Sequence, residues 1–282
     1  LGEIYVTAST LLIISAAFHA LWNFWLKRSR NKTGTALAIM VVATLLNTVV
    51  SCLSSPVPNA STPLVLGIVA AGLCEGFYFY LLNTAYAQQA MGVAYTIMRG
   101  GAMVLVWLIA TLTLGEAIEL HEVFLVCGIL CGIALIQRSF RARDLLHSGA
   151  YAAYICAVCI AGYHIAYGAA VRTGATPAFV FSTAMACGVA TYSVCGGRQA
   201  LLSLRVSLRD EPQLIALAGV ACGLSFLLFI TALATVDPGR AISLRNTSVA
   251  FGAVLSLIAG EQLTRIQWLG VILVGSCVVG LI

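Results

Sequence analysis

Apolar residues in this chain come in blocks of about twenty, separated by short polar stretches, and not in the alternating or one-sided patterns of soluble strands and helices. A helix crossing a bilayer needs about 20 predominantly apolar residues. The blocks predict ten such helices: Tyr5–Leu26, Gly34–Leu53, Pro63–Ala87, Gly92–Leu114, Val123–Ile136, Ser148–Val171, Ala175–Cys195, Leu214–Val236, Gly239–Ala259 and Ile266–Ile282. The fifth is short enough to be interfacial or re-entrant, and the tenth is short as well. Turn formers fill the gaps, with Pro56, Pro58 and Pro63 after the second block, Thr173 to Pro177 after the sixth and Asp237-Pro238-Gly239 after the eighth. The stretch from Gly196 to Pro212 reads as a surface connector with an amphipathic segment.

The blocks repeat. Gly92–Glu116 is an apolar stretch with one Arg inside it and a Gly-Glu pair at its end, and Gly239–Glu261 has the same plan. Arg99 and Arg245 are 146 apart, Glu116 and Glu261 145, His19 and His164 145, and the pairs Gly72/Gly76 and Gly219/Gly223 147. A nearly constant offset is the mark of an internal repeat, which divides the chain into 1–146 and 147–282. Five helices per half bring the second half into the membrane from the opposite side. The predicted fold is therefore an all-α membrane protein of ten transmembrane helices, arranged as two inverted five-helix repeats.

Composition excludes a water-soluble globule: 61% of residues are hydrophobic and 9% charged, where soluble domains carry roughly 25% charged residues. The first block is read as a span, since its basic residues follow the apolar run, the reverse of a cleaved leader. Lys and Arg give the orientation. Eleven of them (Lys27, Arg28, Arg30, Lys32, Arg138, Arg141, Arg143, Arg198, Arg205, Arg209 and Arg265) fall in odd-numbered loops, against Arg172 and Arg240 in even-numbered ones. This places the odd loops in the cytoplasm and both termini outside. The ten Cys lie mostly in apolar blocks, where Cys acts as a small hydrophobe. Neither a redox, metal nor other cofactor role is expected, and Cys156-x-x-Cys159 lacks the context of a thioredoxin-like motif.

Charges inside apolar blocks are the candidate chemistry, because each costs at least about 2.5 kcal/mol to place in hydrocarbon. Arg99 and Arg245 sit at matching places about 10 Å of helix rise into their blocks, as substrate contacts or as snorkelling or ion-paired side chains. Glu75 lies mid-block, where no side chain reaches the interface. Its aligned position is Cys222, so the carboxyl belongs to one half alone, as a proton- or cation-binding site or as a structural partner of Arg99. His19 and Asn23 share a helix face with Trp22, and His164 with Tyr167 repeats it; helix–helix hydrogen bonding is the alternative for the histidines, and Trp22 and Trp25 also suit interface anchors. Tyr78 stands one turn from Glu75 and Tyr95 one turn from Arg99, as cavity lining or as aromatic packing.

The stretch His19-Ala-Leu-Trp-Asn-Phe-Trp-Leu-Lys27, the Ala85-Tyr86 turn leading to Tyr95 and Arg99, the run Arg245-Asn-Thr-Ser-Val-Ala-Phe251 and the two Gly-Glu helix ends resemble the EamA-like branch of the drug/metabolite transporter superfamily. Within it they look most like the phosphonate-utilisation-associated membrane proteins. The resemblance covers essentially the whole chain and implies ten helices in two inverted repeats. It also implies cytoplasmic termini, opposite to the charge count. The expected function is secondary transport of a small zwitterionic or anionic metabolite, such as an amino acid or aminophosphonate, by alternating access in a bacterial inner membrane. Glu75 is the expected proton-coupling residue; the expected partners are the substrate, bilayer lipid and protons, not nucleic acid, and monomer and homodimer stay open. The alternative is a membrane-embedded lipid or head-group transferase. It is disfavoured because the loops hold neither a metal-spaced carboxylate cluster nor a Gly-rich phosphate loop, although Glu116, Glu119 and Glu122 form an acidic set.

Overall fold

The computed structural model describes all residues except 1, 55–57, 89–90, 116–118, 138–150, 259 and 261. Every regular element among the described residues is a helix: α1 (Gly2–Arg28), α2 (Lys32–Ser54), α3 (Thr62–Gln88), α4 (Met91–Ile109) with a π-helical continuation Ala110–Leu114, and α5 (Leu120–Gln137). There follow α6 (Tyr151–Val171), α7 (Pro177–Asp210), α8 (Pro212–Leu233), α9 (Pro238–Arg245), α10 (Ser248–Ile258) and α11 (Arg265–Leu281). Six helical stretches are long and apolar enough to cross a membrane, in α1, α2, α3, α6, α7 and α8. Ile97–Thr113, Leu120–Ile136 and Arg265–Leu281 are shorter apolar helices.

Several boundaries follow from local chemistry. Pro177, Pro212 and Pro238 each open a helix, where the missing N–H costs nothing. The Thr176 side chain accepts from Phe179 N, and Thr264 with Gln267 forms a capping box at the start of α11. Two departures from the predicted blocks carry meaning. The ninth block is broken into α9 and α10 at Asn246-Thr247, where the polar run Arg245 to Ser248 replaces the regular ladder by tight three-residue bonds, Thr247 N to Leu244 O and Val249 N to Asn246 O. The seventh block runs on as helix through Asp210, but with a sharp bend at Gly197 (φ 54°, ψ −151°), a backbone region open in practice to glycine alone.

The helices pack mainly on the opposite half and little on their sequence neighbours. α1 lies on α8 and α3 on α6; α2 lies on α7 and on α8, α3 also on α7; α5 lies on α11; α4 lies on α6, and α9 with α10 on α1. Small residues set these approaches. A Cβ on Gly72 would overlap the Ala184 carbonyl and one on Gly76 would press on Gly188 O and Thr191, both on α7. Gly219 and Gly223 of α8 meet Val42 and Asn47 of α2 in the same way. Gly132 of α5 and Gly270 of α11 each stand against the other's carbonyl. Such small-residue contacts let helices approach closely where no hydrophobic effect drives them together.

Polarity is turned outside in. Leu45, Leu66, Leu112, Phe124 and Ile272 are exposed on the outer faces, while His19, Glu75, Arg99, His164, Arg245 and Asn246 are buried. Loops of like parity meet at the two ends of the bundle. At one end the Glu211 carboxylate after α7 accepts from the Ser29 hydroxyl (2.7 Å) and Arg30 N, both between α1 and α2. At the other, Arg240 pairs with the buried Glu122 at 2.6 Å, and Arg172 with Asp237 at 3.3 Å and with Val236 O. Glu116 and Glu261 lie outside the described residues.

Gly72→Ala drives a methyl group into a backbone carbonyl that cannot yield, so the purified variant should lose thermal stability, by about 1–3 kcal/mol. Gly252→Ala, where a Cβ meets no atom within 4 Å, should leave the melting temperature in detergent unchanged or raised.

Candidate functional site

The buried polar side chains gather around Phe226 of α8. Its ring centroid lies 5.0 Å from Phe181, 5.9 Å from Tyr163, 6.3 Å from Tyr167 and 6.5 Å from His19. The Arg245 guanidinium sits 4.5 Å from its centroid and 4.1 Å from that of Phe229. A desolvated guanidinium over an aromatic face gains about 2 kcal/mol, and these two rings are one turn apart on the same face of α8. Arg245 ends α9 at the break in the helix, so its side chain leaves toward the interior from a helix terminus. Its Nη2 also donates, at 3.4 Å each, to His19 Nδ1 and Ser225 Oγ. Ser225 is itself fixed by reciprocal bonds, Ser15 Oγ to Ser225 O (2.7 Å) and Ser225 Oγ to Ser15 O (2.9 Å).

Glu75 of α3 is fully buried and accepts from the Tyr167 hydroxyl of α6 at 2.6 Å through Oε2. Tyr167 is thus a hydrogen-bond partner of Glu75 that the sequence reading did not name. Arg245 also acts electrostatically on Glu75. Arg99, on α4, is buried and interacts electrostatically with His19, as Arg245 does, so both arginines act on one interior.

The two pseudo-equivalent histidines show opposite faces. A guanidinium only donates, so His19 Nδ1 is an acceptor and its proton resides on Nε2. A carbonyl only accepts, so His164 Nδ1 donates to Ile160 O (2.8 Å), and its Nε2 carries the lone pair. Neither Nε2 has a hydrogen-bond partner among the described residues, nor do Glu75 Oε1, Arg245 Nε and Arg245 Nη1. The interior therefore holds two kinds of buried, unsatisfied atom: donors on Arg245 and His19, and acceptors on Glu75 and His164. Leaving such groups unpaired costs about 1–3 kcal/mol each, and more for charged ones.

The other candidates divide. Tyr78 is buried beside Tyr163, with centroids 6.2 Å apart, and joins the aromatic wall. Asn23 donates its amide to His19 O (2.8 Å) within α1. Trp22 is fully buried and stacks on Phe79 at 5.5 Å, which corrects its reading as an interface anchor. The Tyr95 side chain lies outside the described residues. Sequence reasoning missed Ser225, Phe226 and Phe229, although the offset of 147 that aligns Gly72 with Gly219 also aligns Tyr78, Phe79 and Leu82 with them.

A double-mutant cycle tests the central contact. Tyr167→Phe should lower stability by about 1–2 kcal/mol by stripping Glu75 of its donor. In a Glu75→Gln background the same substitution should cost measurably less, read as thermal melting in one detergent.

Residues 147–282 match the EamA-like transporter family. No protein of curated function matches the chain by sequence. A crystal structure whose description states no activity superposes with a TM-score of 0.72 over 98% of this chain and 96% of that one, at 15% identity, a likeness of fold alone. Together with a bundle that is all-helical among the described residues, apolar outside and polar within, this makes the chain a multi-pass membrane protein whose residues 147–282 match the EamA-like transporter family.

Proposed function

We propose that the protein is a secondary active transporter of a small zwitterionic metabolite, an amino acid or an aminophosphonate, in which two inverted five-helix halves enclose one central site. The observation that carries this reading is the split of unsatisfied buried atoms: Arg245 and His19 offer donors to an acidic group, while Glu75 and His164 offer acceptors to an amine. A plain anion leaves the second pair unanswered. The exchange relation in the packing, α1 on α8 as α3 on α6, supports a repeat in which each half supplies one wall. The broken helix ending at Arg245 supports it too, since interrupted helices recur at the substrate sites of such carriers.

Coupling is assigned to Glu75. A carboxyl that exchanges a proton or an amine inside a sealed interior can link the two fluxes, and its absence at Cys222 gives the cycle one such group. The charge bias puts the odd loops in the cytoplasm and both chain ends outside.

Two experiments test these assignments. In proteoliposomes, a zwitterionic amino acid or aminophosphonate should be taken up faster under an imposed pH gradient, while analogues lacking either the amine or the acid compete weakly. Arg245→Gln should weaken binding about tenfold to a hundredfold, the worth of a charged hydrogen bond. Glu75→Gln should abolish the response to the pH gradient; equal competition by the amine-free acid would favour a plain anion. In a Cys-depleted background, Glu119→Cys, at an exposed carboxylate, should react with an impermeant maleimide in intact cells, and labelling only after permeabilisation would reverse the topology.

A further inference from the structure

The bend at Gly197 creates an element unlike any other among the described residues. The Tyr192 hydroxyl donates to Thr33 O at 3.0 Å, while the Ser203 carbonyl stands against the adjacent Gly34 and the Ser207 hydroxyl donates to Asn31 O at 3.4 Å. Positions 192 and 203 would be about 16 Å apart along a straight helix, yet they reach adjacent residues, Thr33 and Gly34. The helix over 198–210 therefore leaves the axis of α7 and lies across the turn between α1 and α2.

One stripe of this segment faces the protein: Ala200 and Ser207 are buried, with Ser203 and Leu204 half-buried between them. The rest carries two chemistries interleaved. Leu201, Leu202, Val206 and Leu208 are each between 46% and 49% exposed, and Arg198, Arg205 and Arg209 are exposed beside them. Lys27, Arg28, Arg30 and Lys32, at the turn it covers, are exposed at the same end of the bundle. Among the described residues nearby negative charge is scant: Asp210 is exposed, and Glu211 is engaged by Ser29 and Arg30 N. Leucines beside arginines on one surface suit the boundary between acyl chains and headgroups, where apolar side chains turn inward and guanidinium groups reach phosphate. Neither water nor hydrocarbon alone satisfies both sets.

We infer that the helix over 198–210 is an interfacial element that binds the anionic phospholipid headgroups of the leaflet at this end of the bundle. The reading rests on the chain being a membrane protein and is independent of what it transports. Each basic residue near an anionic surface is worth about 1 kcal/mol, so a three-Arg surface has enough attraction to select among lipids.

The test uses the full chain, purified in detergent with an equimolar mixture of phosphatidylglycerol and phosphatidylcholine, and reads retained lipids by native mass spectrometry. The wild type should keep phosphatidylglycerol over phosphatidylcholine by about fivefold or more. R198Q/R205Q/R209Q should lose most of that preference, while R198K/R205K/R209K keeps most of it. In nanodiscs, hydrogen exchange over 198–210 should be slower with phosphatidylglycerol present than with phosphatidylcholine alone. Equal retention of the two lipids by the wild type, an undiminished preference in the Gln variant, or exchange indifferent to lipid charge would each overturn the inference. None of these outcomes depends on uptake, so a failure here leaves the transport reading standing.

Discussion

Close helix approach across the two halves is the constraint on which the structure depends. In hydrocarbon there is no gain from burying a leucine against another leucine, and association rests on packing and interhelical hydrogen bonds. Gly72 and Gly76 on α3, and Gly219 and Gly223 on α8, supply the room, and Ser15 with Ser225 supplies bonds that water would otherwise take. Because α1, α2 and α3 find their main partners on α6, α7 and α8, neither half buries its inner faces without the other. The polar residues on those faces are brought together by the same contacts.

That arrangement gives the interior its asymmetry. The two halves of the chain differ in chemistry: Glu75 faces a tyrosine where the sequence offset puts Cys222 in the second half, and Arg245 stands at a helix break while Arg99 sits inside a continuous helix. His19 and His164 occupy matching positions yet present an N–H and a lone pair. Their neighbours decide this, a guanidinium for one and a helix carbonyl for the other. The buried interior thereby has a donating and an accepting side.

Most of the helices were legible in the sequence because a span is a one-dimensional property, a run of apolar residues of given length. Glu75, Arg99 and Arg245 were legible for the same reason, as charges where charge is costly. Trp22 was not, because being near a helix end in sequence does not tell whether the ring faces lipid or the neighbouring Phe79. Nor was the part of Phe226 and Phe229: aromatic residues in an apolar block carry no mark of which one stands under a cation. The break after Arg245 was written in the polar run Arg245 to Ser248, but run length alone reads through it.

The eight-residue α9 is a rod about 12 Å long with distinct fastenings at its ends. Its outer end is clamped at the mouth of the bundle, Asp237 by Arg172 and Arg240 by Glu122. Its inner end is the joint at Asn246-Thr247, with Arg245 immediately before it. No further joint lies between the clamp and the guanidinium. A tilt of the rod at the surface is therefore delivered to Arg245 undamped, and the cation cannot shift as a rigid part of α9 without loading the two ion pairs at the mouth.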